Sequence, residues 1–202
     1  MMYRLWWVDV ETTGLDPLRD EIIEIAMFLT ECDPQRKWLS PVSQLYTGLQ
    51  EPSCPISPEA SRVNGLTLEH LQGKRLDMEL LKKIVHEADG FVAHNASFDK
   101  GFVEMILPEV RNKMWFCSIA GIEWKKWGFA SAGLQSLLRA HHIFPSRAHR
   151  AESDIQSLYL LLQEHNPLDK SYFWEMWDNS YHRFLSKQKP PAFAGGGGEK
   201  SF

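Results

Sequence analysis

Two carboxylates stand two residues apart in the segment Asp9-Val10-Glu11, directly after the apolar run LWWV. Side chains two apart on a β-strand point to the same face, so the two acids would repel each other unless a cation lies near both. Carboxylate oxygens are the ligands that Mg²⁺ and Mn²⁺ prefer in proteins. The spacing therefore indicates a divalent-cation site, although surface strands also carry acids and the pair alone does not decide.

Two further clusters place an acid close to the start of a predicted helix. One is HNASFD, which begins at His94 and ends at Asp99, and the other is HRAESD, from His149 to Asp154. A carboxylate in the first turn of a helix is favoured by the helix dipole, so each acid alone also fits ordinary helix stabilisation. Histidine titrates near neutral pH, which makes His149 a candidate general base.

The apolar pattern predicts the elements that would carry these clusters. Residues 4–10, 22–30 and 42–49 are predicted strands with short links, which favours an antiparallel meander. Helices and short strands then alternate, with predicted helices at 77–88, 98–107, 119–127, 134–142 and 150–164 and predicted strands at 91–94 and 114–117. This order predicts an α/β fold in which helices cover a mixed sheet.

Together the clusters resemble the DEDD-type exonuclease superfamily, in its histidine-bearing branch. That branch shows DxE, NxxFD and HxAxxD in this order, and the chain reads VDVETTGL, NASFD and HRAESD. The segments PISPEASRVNGLTLEHL and GLQSLLRAHHI are also similar to the group that contains the DNA polymerase III epsilon subunit and exonuclease X. The resemblance covers residues 4–165.

The resemblance implies a ribonuclease H-like fold with a five-stranded mixed sheet, three antiparallel strands followed by two parallel ones, flanked by helices. It also implies two divalent cations, Mg²⁺ or Mn²⁺, with His149 as the base. The metal-binding and catalytic carboxylates would be Asp9, Glu11, Asp99 and Asp154. Substrate contacts would come from the TTGL segment and the second motif, at Thr12, Thr13, Gly14, Leu15, His94, Asn95 and Phe98.

The function that this resemblance implies is a metal-dependent 3′→5′ exonuclease that removes nucleotides from the 3′ end of DNA, with single strands preferred. One alternative is an RNA 3′-end trimming enzyme of the ribonuclease T kind, since no residue in the sequence identifies itself as a reader of the ribose 2′-hydroxyl. A second alternative is a catalytically inert module that binds nucleic-acid ends.

Charge and composition narrow the class of protein further. The formal net charge of −4 does not favour a protein that coats long stretches of nucleic acid, although residues 139–150 are locally basic and are expected to contact phosphate. The 3 cysteines include no CxxC pair, which favours a cytoplasmic protein over a disulfide framework. No signal peptide and no membrane-spanning segment are expected.

The chain is expected to divide into an exonuclease domain at 1–166, an aromatic-rich helical extension at 167–189 and a flexible glycine-rich tail at 190–202. Within the extension, one helical face carries Phe173, Trp174, Trp177, Tyr181, Phe184 and Leu185. Two interpretations stay open for this face. It packs on the core of the domain itself, or it docks a partner such as a polymerase or a sliding clamp.

Overall fold

The computed structural model describes residues 1–145 and 149–188, and the side chains of residues 185–188 lie outside this description. One mixed sheet forms its centre. Its strands are β1 (Tyr3–Thr12), β2 (Ile22–Asp33), β3 (Trp38–Leu39), β4 (Gln44–Leu49), β5 (Gly90–Ala93) and β6 (Met114–Cys117). β1 pairs with β2 on one side and β5 on the other, and β6 lies beyond β5.

The strand directions confirm the predicted mixed sheet. β1 and β4 are both antiparallel to β2, whereas the pairs β1–β5 and β5–β6 are parallel. Five strands were expected from the sequence, and the two-residue strand β3 is an addition. β3 pairs with Cys32 and Asp33 at the end of β2, so it shares with β4 the same edge of that strand.

Helices cover both faces of the sheet. They are α1 (Pro58–Asn64), α2 (Leu68–Leu71), α3 (Met78–Glu87), α4 (Ala96–Ile106), α5 (Ser118–Gly121), α6 (Leu134–Ala140), α7 (Ala151–Gln163) and α8 (Tyr172–Gln188), with a 3₁₀ helix at Pro108–Asn112. Asp77 caps α3 as predicted, because its carboxylate accepts the N–H of Leu80 at 2.9 Å. Across residues 1–145 and 149–188, none of the helices has the length and apolar character needed to cross a membrane.

The predicted helix at 119–127 is wrong. α5 ends at Gly121, where a Cβ atom would lie 2.8 Å from the side chain of Met176. Beyond that point the chain turns so that Trp124 is buried, with its indole N–H donating to the carbonyl of Ser118 at 2.9 Å. Burial of the tryptophan and close approach to α8 therefore outweigh the local helical pattern.

The alternation of side chains along β1 sets the position of the acidic pair. Trp6 and Val8 belong to the core under α3 and α4, whereas Leu5 and Trp7 belong to the core under α7 and α8. Asp9 and Glu11 continue the row of Leu5 and Trp7, because side chains two apart share a face. The pair therefore faces the side of the sheet on which α7 packs.

The aromatic face of α8 lies inside the core. Phe173, Trp174 and Trp177 are buried, and Tyr181 and Phe184 pack against the same cluster. The ring of Trp177 stacks on Phe116 of β6 with 4.7 Å between centroids. This face is therefore not a free surface for a partner. The domain boundary at residue 166 stays a prediction, and the predicted tail at 190–202 lies outside the described residues.

Candidate active site

A cleft opens where β1 and β5 separate. The two strands pair only from Leu5 to Trp7, opposite Gly90 to Val92, and β5 ends at Ala93 while β1 continues to Thr12. The side chains of Asp9 and Glu11 reach into the space that this separation leaves. The cleft thus lies at the carboxyl ends of neighbouring parallel strands, where α/β sheets usually place their sites.

Asp99 closes one side of the cleft from the first turn of α4. Its side chain is buried, and the nearby main-chain N–H groups of Val10 and of Asp99 itself stabilise its charged form. Burial nevertheless outweighs them and raises the pKa of Asp99 to about 7. The contact with Val10 ties the start of α4 to β1 next to the acidic pair.

Asp154 enters from the first turn of α7 and is held by two donors. Its Oδ1 accepts the side-chain amide of Gln135 at 3.0 Å, and its Oδ2 accepts the main-chain N–H of His149 at 3.2 Å. His149 adopts a left-handed backbone with φ of 59° and leaves its side chain exposed at the cleft. A non-glycine residue with positive φ is uncommon and is often found at functional sites.

Three carboxylates converge closely enough to share a cation. One oxygen each from Asp9, Glu11 and Asp154 lies within 4.8 Å of the other two. Oxygens at this spacing can reach a common divalent ion with ligand distances of about 2.0–2.6 Å. The donor set, all hard oxygens, fits Mg²⁺ or Mn²⁺ in its chemistry.

The pKa values of these acids reflect the same crowding. Burial first, and then the charges of Asp99, Glu11 and Asp154, hold the pKa of Asp9 well above its usual range. Burial and the charges of Asp154 and Glu24 raise the pKa of Glu11 to about 8. The pKa of Asp154 is also raised, mainly by burial. Four ionised carboxylates this close together would repel one another strongly, so the cleft favours a bound cation.

A family model described as Exonuclease, of the RNase T type, matches residues 6–162 of the chain. The match spans all three motifs, with the four carboxylates and His149. The chain belongs to the DEDDh-type 3′→5′ exonuclease family. The ribonuclease H-like fold and the nuclease class implied by the sequence motifs are thereby confirmed.

Curated relatives of this exonuclease chain include DNA polymerase III PolC-type from two bacterial genera. The protein of Thermotoga petrophila is 32% identical over 165 residues, which is 80% of this chain and 10% of the relative. That of Streptococcus agalactiae is 25% identical over 169 residues, 77% of this chain and 11% of the relative. The chain thus spans about a tenth of the length of these relatives.

Solved structures with the same fold include two exonucleases bound to DNA. Exonuclease X in complex with 5′-overhanging duplex DNA shares 23% identity, with a TM-score of 0.58 over 88% of this chain and 93% of that one. Escherichia coli exonuclease I in complex with a dT13 oligonucleotide shares 14% identity, with a TM-score of 0.65 over 92% of this chain and 43% of that one.

The residues predicted to contact substrate fall into two groups in this exonuclease fold. His94, Asn95 and Phe98 line the cleft, which has a volume of about 370 Å³, together with the carboxylates and His149. The TTGL segment begins at Thr12, the last residue of β1, and lies outside that lining. Thr13 is fully buried and donates to Asp20 at 3.0 Å, whereas Leu15 is 84% exposed.

His94 lines the cleft but offers it no free ring nitrogen. Nδ1 lies 2.6 Å from Oγ of Ser118, and Nε2 lies 2.8 Å from the carbonyl oxygen of Ala132. Burial lowers the pKa of this imidazole to about 4, so the ring is neutral at physiological pH. Its visible contacts join the end of β5 to the start of α5 and to the loop before α6.

Sequence reasoning missed the polar residues that hold the acids. Gln135 donates to Asp154, the nearby amide of Asn64 favours the charged form of Glu11, and Glu24 forms a two-point ion pair with Arg150. Glu24 had a signal in the sequence, since it is a lone acid inside the apolar run of β2, and the structure buries it. Gln135 and Asn64 had none, because their partners are distant in the chain.

The basic segment at 139–150 is only partly described, since residues 146–148 lie outside the described residues. Arg150 ends that segment, and its Nε donates to Oε2 of Glu24 at 2.8 Å and its Nη2 to Oε1 at 2.5 Å. The main-chain N–H of Ala151 also donates to Glu24. Arg150 therefore fixes the start of α7 to β2 instead of facing the cleft.

Proposed function

We propose that this chain is a metal-dependent 3′→5′ exonuclease that removes nucleotides from the 3′ end of DNA and prefers single strands. The observation that carries the proposal is the convergence of four carboxylates and His149 on one cleft. Membership of the exonuclease family supports the reaction class. The DNA polymerase relatives and the DNA-bound structures favour DNA over RNA as the substrate.

Two divalent cations, Mg²⁺ or Mn²⁺, are the proposed cofactors. Asp9, Glu11 and Asp154 would hold one of them, and Asp9 with Asp99 would hold the other. When bound, such ions neutralise the charge that develops on the phosphate oxygens during hydrolysis. The raised pKa values of the carboxylates support this assignment, since the ions would supply the positive charge that the cleft lacks.

The protein residues then have separate tasks in phosphodiester hydrolysis. Water attacks the terminal phosphorus, and His149 accepts its proton as the general base. The bond from phosphorus to the 3′-oxygen of the penultimate nucleotide breaks, and that oxygen leaves as a 3′-hydroxyl after protonation. The products are a nucleoside 5′-monophosphate and a strand shortened by one residue. Gln135 and the main-chain N–H of His149 keep Asp154 oriented throughout.

The 3′-terminal nucleotide is proposed to lie between the TTGL segment and α4. Phe98 presents a half-buried ring in the cleft, which suits stacking on a base of any sequence. The exposed Leu15 would wedge against a base, and the backbone at Thr12 and Gly14 would face the terminal sugar. Thr13, which is buried, would support that loop through Asp20. Asn95 is exposed beside Phe98, and His94 would act by holding the cleft wall.

A replicative partner is part of the proposal. The PolC-type relatives are DNA polymerases, and a chain spanning a tenth of their length would correspond to a proofreading segment or to a free-standing counterpart. Because the aromatic face of α8 is buried in the core, a polymerase or clamp would have to use another surface.

The deciding experiment uses single-stranded 20-mers of DNA and matched RNA, labelled and blocked in turn at each end, with Mg²⁺ or Mn²⁺. We expect a ladder that shortens from the 3′ end of DNA, stops at a 3′ block and disappears with EDTA. Faster degradation of RNA would replace the DNA assignment by 3′-trimming of RNA. Shortening from the 5′ end, or full activity of Asp154→Asn, would refute the proposal.

A further inference from the structure

A basic groove runs along the open edge of the sheet, beside β6. Its volume is about 510 Å³, and it lies between α4 and the 3₁₀ helix on one side and α8 on the other. Its described lining residues include no acid and are Lys100, Arg111, Asn112, Lys113, Trp115, Cys117, Ala120, Ser180, Arg183 and Phe184. Four cations on one groove contrast with the net charge of −4 of the chain.

The cations are held in place mainly by neutral oxygens. Nζ of Lys100 donates to the carbonyl of Arg111 at 3.2 Å, and Nζ of Lys113 donates to the carbonyl of Ala88 at 2.7 Å. Nη2 of Arg183 donates to the carbonyl of Ala120 at 2.9 Å. Arg111 pairs with Glu104 but remains 71% exposed. Since an ammonium has three donors and a guanidinium five, Lys100, Lys113 and Arg111 keep donors for a ligand.

Aromatic rings lie among these charges. Trp115 and Phe184 line the groove and are both half-buried. Trp115 is fixed, because it stacks on Phe91 with 4.9 Å between centroids and its indole N–H donates to the carbonyl of Val110. Fixed aromatic rings beside a line of cations are the arrangement by which proteins hold single-stranded nucleic acid without regard to sequence.

The groove begins next to the cleft. Lys100 follows Asp99 on α4, and the Sγ of Cys117 lies 3.4 Å from the carbonyl oxygen of His94. The polar groove beside β4 is different, because its described lining includes three acids as well as three cations. Of these two grooves, only the one beside β6 therefore offers a polyanion an unbalanced positive surface.

We propose that the groove beside β6 binds the phosphate backbone of the nucleic-acid strand upstream of the 3′ end that lies in the cleft. This inference rests on the proposed function and adds a strand-binding site to it. Each phosphate contact releases a counterion, so affinity for a long single strand should fall steeply with salt. A substrate too short to extend beyond the cleft should be hydrolysed equally well whether or not the groove is altered.

The test compares the double variant Lys100→Gln/Arg111→Gln with Lys82→Gln/Lys83→Gln, which removes the same charge from the exposed side of α3. Affinity for a fluorescent dT20 strand is measured by anisotropy in EDTA, over a range of salt concentrations. Turnover is measured with Mn²⁺ on the p-nitrophenyl ester of thymidine 5′-monophosphate, which fits within the cleft. Thermal melts check that both variants fold.

We expect the groove variant to bind dT20 roughly 10-fold more weakly and to show a salt slope shallower by about 1.4, from two lost contacts at 0.7 each. The groove variant should turn over the ester at a rate within twofold of the unaltered chain. The control variant should stay within twofold of the unaltered chain in both dT20 affinity and ester turnover. If the unaltered chain hydrolyses neither the ester nor labelled single-stranded DNA with Mn²⁺, the proposed function fails, while the binding comparison in EDTA still decides the groove.

Several results would overturn the groove proposal. Unchanged dT20 affinity would do so, as would an equal loss of affinity in the control variant. Lost affinity for polyglutamate with dT20 affinity intact would mean that the groove takes an acidic protein segment. Self-association of the groove variant with dT20 affinity intact would mean that the cations only protect the open edge of β6 from pairing with another chain.

Discussion

The side-chain amide of Gln135 donates a hydrogen bond to Oδ1 of Asp154, with 3.0 Å between the two atoms. Gln135 lies in the first turn of α6, and Asp154 lies in the first turn of α7. The other carboxylate oxygen of Asp154, Oδ2, accepts a hydrogen bond from the main-chain N–H of His149. Gln135 thus fixes the orientation of a proposed metal ligand.

Replacing Gln135 by leucine should weaken metal binding while the fold remains intact. Partners that orient a metal ligand typically contribute 10–100-fold to metal affinity or activity, so we expect a loss of roughly 10-fold in Mn²⁺ affinity by calorimetry. Gln156→Leu is the matched control, because Gln156 is exposed on α7 and bonds only to Glu152 among the described residues. Equal Mn²⁺ affinities for both variants would contradict a role of Gln135 in metal binding.

The proposed base predicts a graded loss of activity. His149→Ala should slow removal of nucleotides by roughly 10²–10⁴-fold, the usual contribution of a general base, and leave a measurable remainder. Asp9→Asn and Asp154→Asn should reduce activity below detection, because each removes a proposed metal ligand. Rates on labelled dT20 provide the measurement. His182→Ala, which alters an exposed histidine of α8, should be neutral, and a similar loss there would point to a general effect.

The raised pKa values predict how stability depends on pH without metal. Unfolded carboxyl groups titrate near pH 4, whereas folding raises the pKa of Asp99 to about 7 and that of Glu11 to about 8. Between about pH 4 and 8 these carboxyls bind more protons in the folded state, so they make the free energy of unfolding fall as pH rises. His94, whose pKa folding lowers to about 4, opposes this below about pH 6.5, but it is one group against several carboxyls. In EDTA, Tm should therefore decrease from pH 5 to pH 8.

Two changes should reverse that decrease. Mn²⁺ should raise Tm more at pH 8 than at pH 5, because it binds the ionised carboxylates of the folded state. Asp9→Asn should raise Tm in EDTA at pH 8 by a few degrees, at roughly 2–4 °C for each kcal/mol of repulsion removed. Glu69→Gln, an exposed acid on α2, serves as the control. A Tm that is flat or rising with pH in EDTA would contradict the prediction.

The packing of α8 predicts that the extension is required for folding. Trp177 is 3% exposed and contacts the rings of Phe116, Tyr3 and Tyr181. Trp177→Ala should therefore cost about 3–5 kcal/mol in urea unfolding, whereas Leu160→Ala, at an exposed position of α7, should cost little. Truncation after Asn166 should yield insoluble protein. A truncated chain with an unchanged urea midpoint would show that α8 is dispensable.

Much of the fold could be predicted because its strands are continuous apolar runs. β2 is buried along almost its whole length, and such a strand stands out in the sequence. β3 was missed since two residues, Trp38 and Leu39, carry no periodicity. The helix predicted over 119–127 failed because the burial of Trp124 and the contact of Gly121 with Met176 are tertiary effects.

The site was predictable where its residues lie at the ends of elements. Asp9 lies close to the carboxyl end of β1, Asp99 and Asp154 lie in the first turns of α4 and α7, and the structure brings all three to one cleft. The contacts that orient them were not predictable. Arg150 and Glu24 are partners across 126 positions of the chain, and only the folded sheet brings them together. The positive φ of His149 likewise has no signature in the sequence.

The cleft combines Asp9 from the first strand with Asp154 from the seventh helix. During translation, a ribosome-bound chain would therefore present Asp9 and Glu11 long before α7 emerges. Such a nascent chain lacks Asp154 and His149 and cannot complete the site. The order of elements thus prevents assembly of the cleft until α7 has been synthesised.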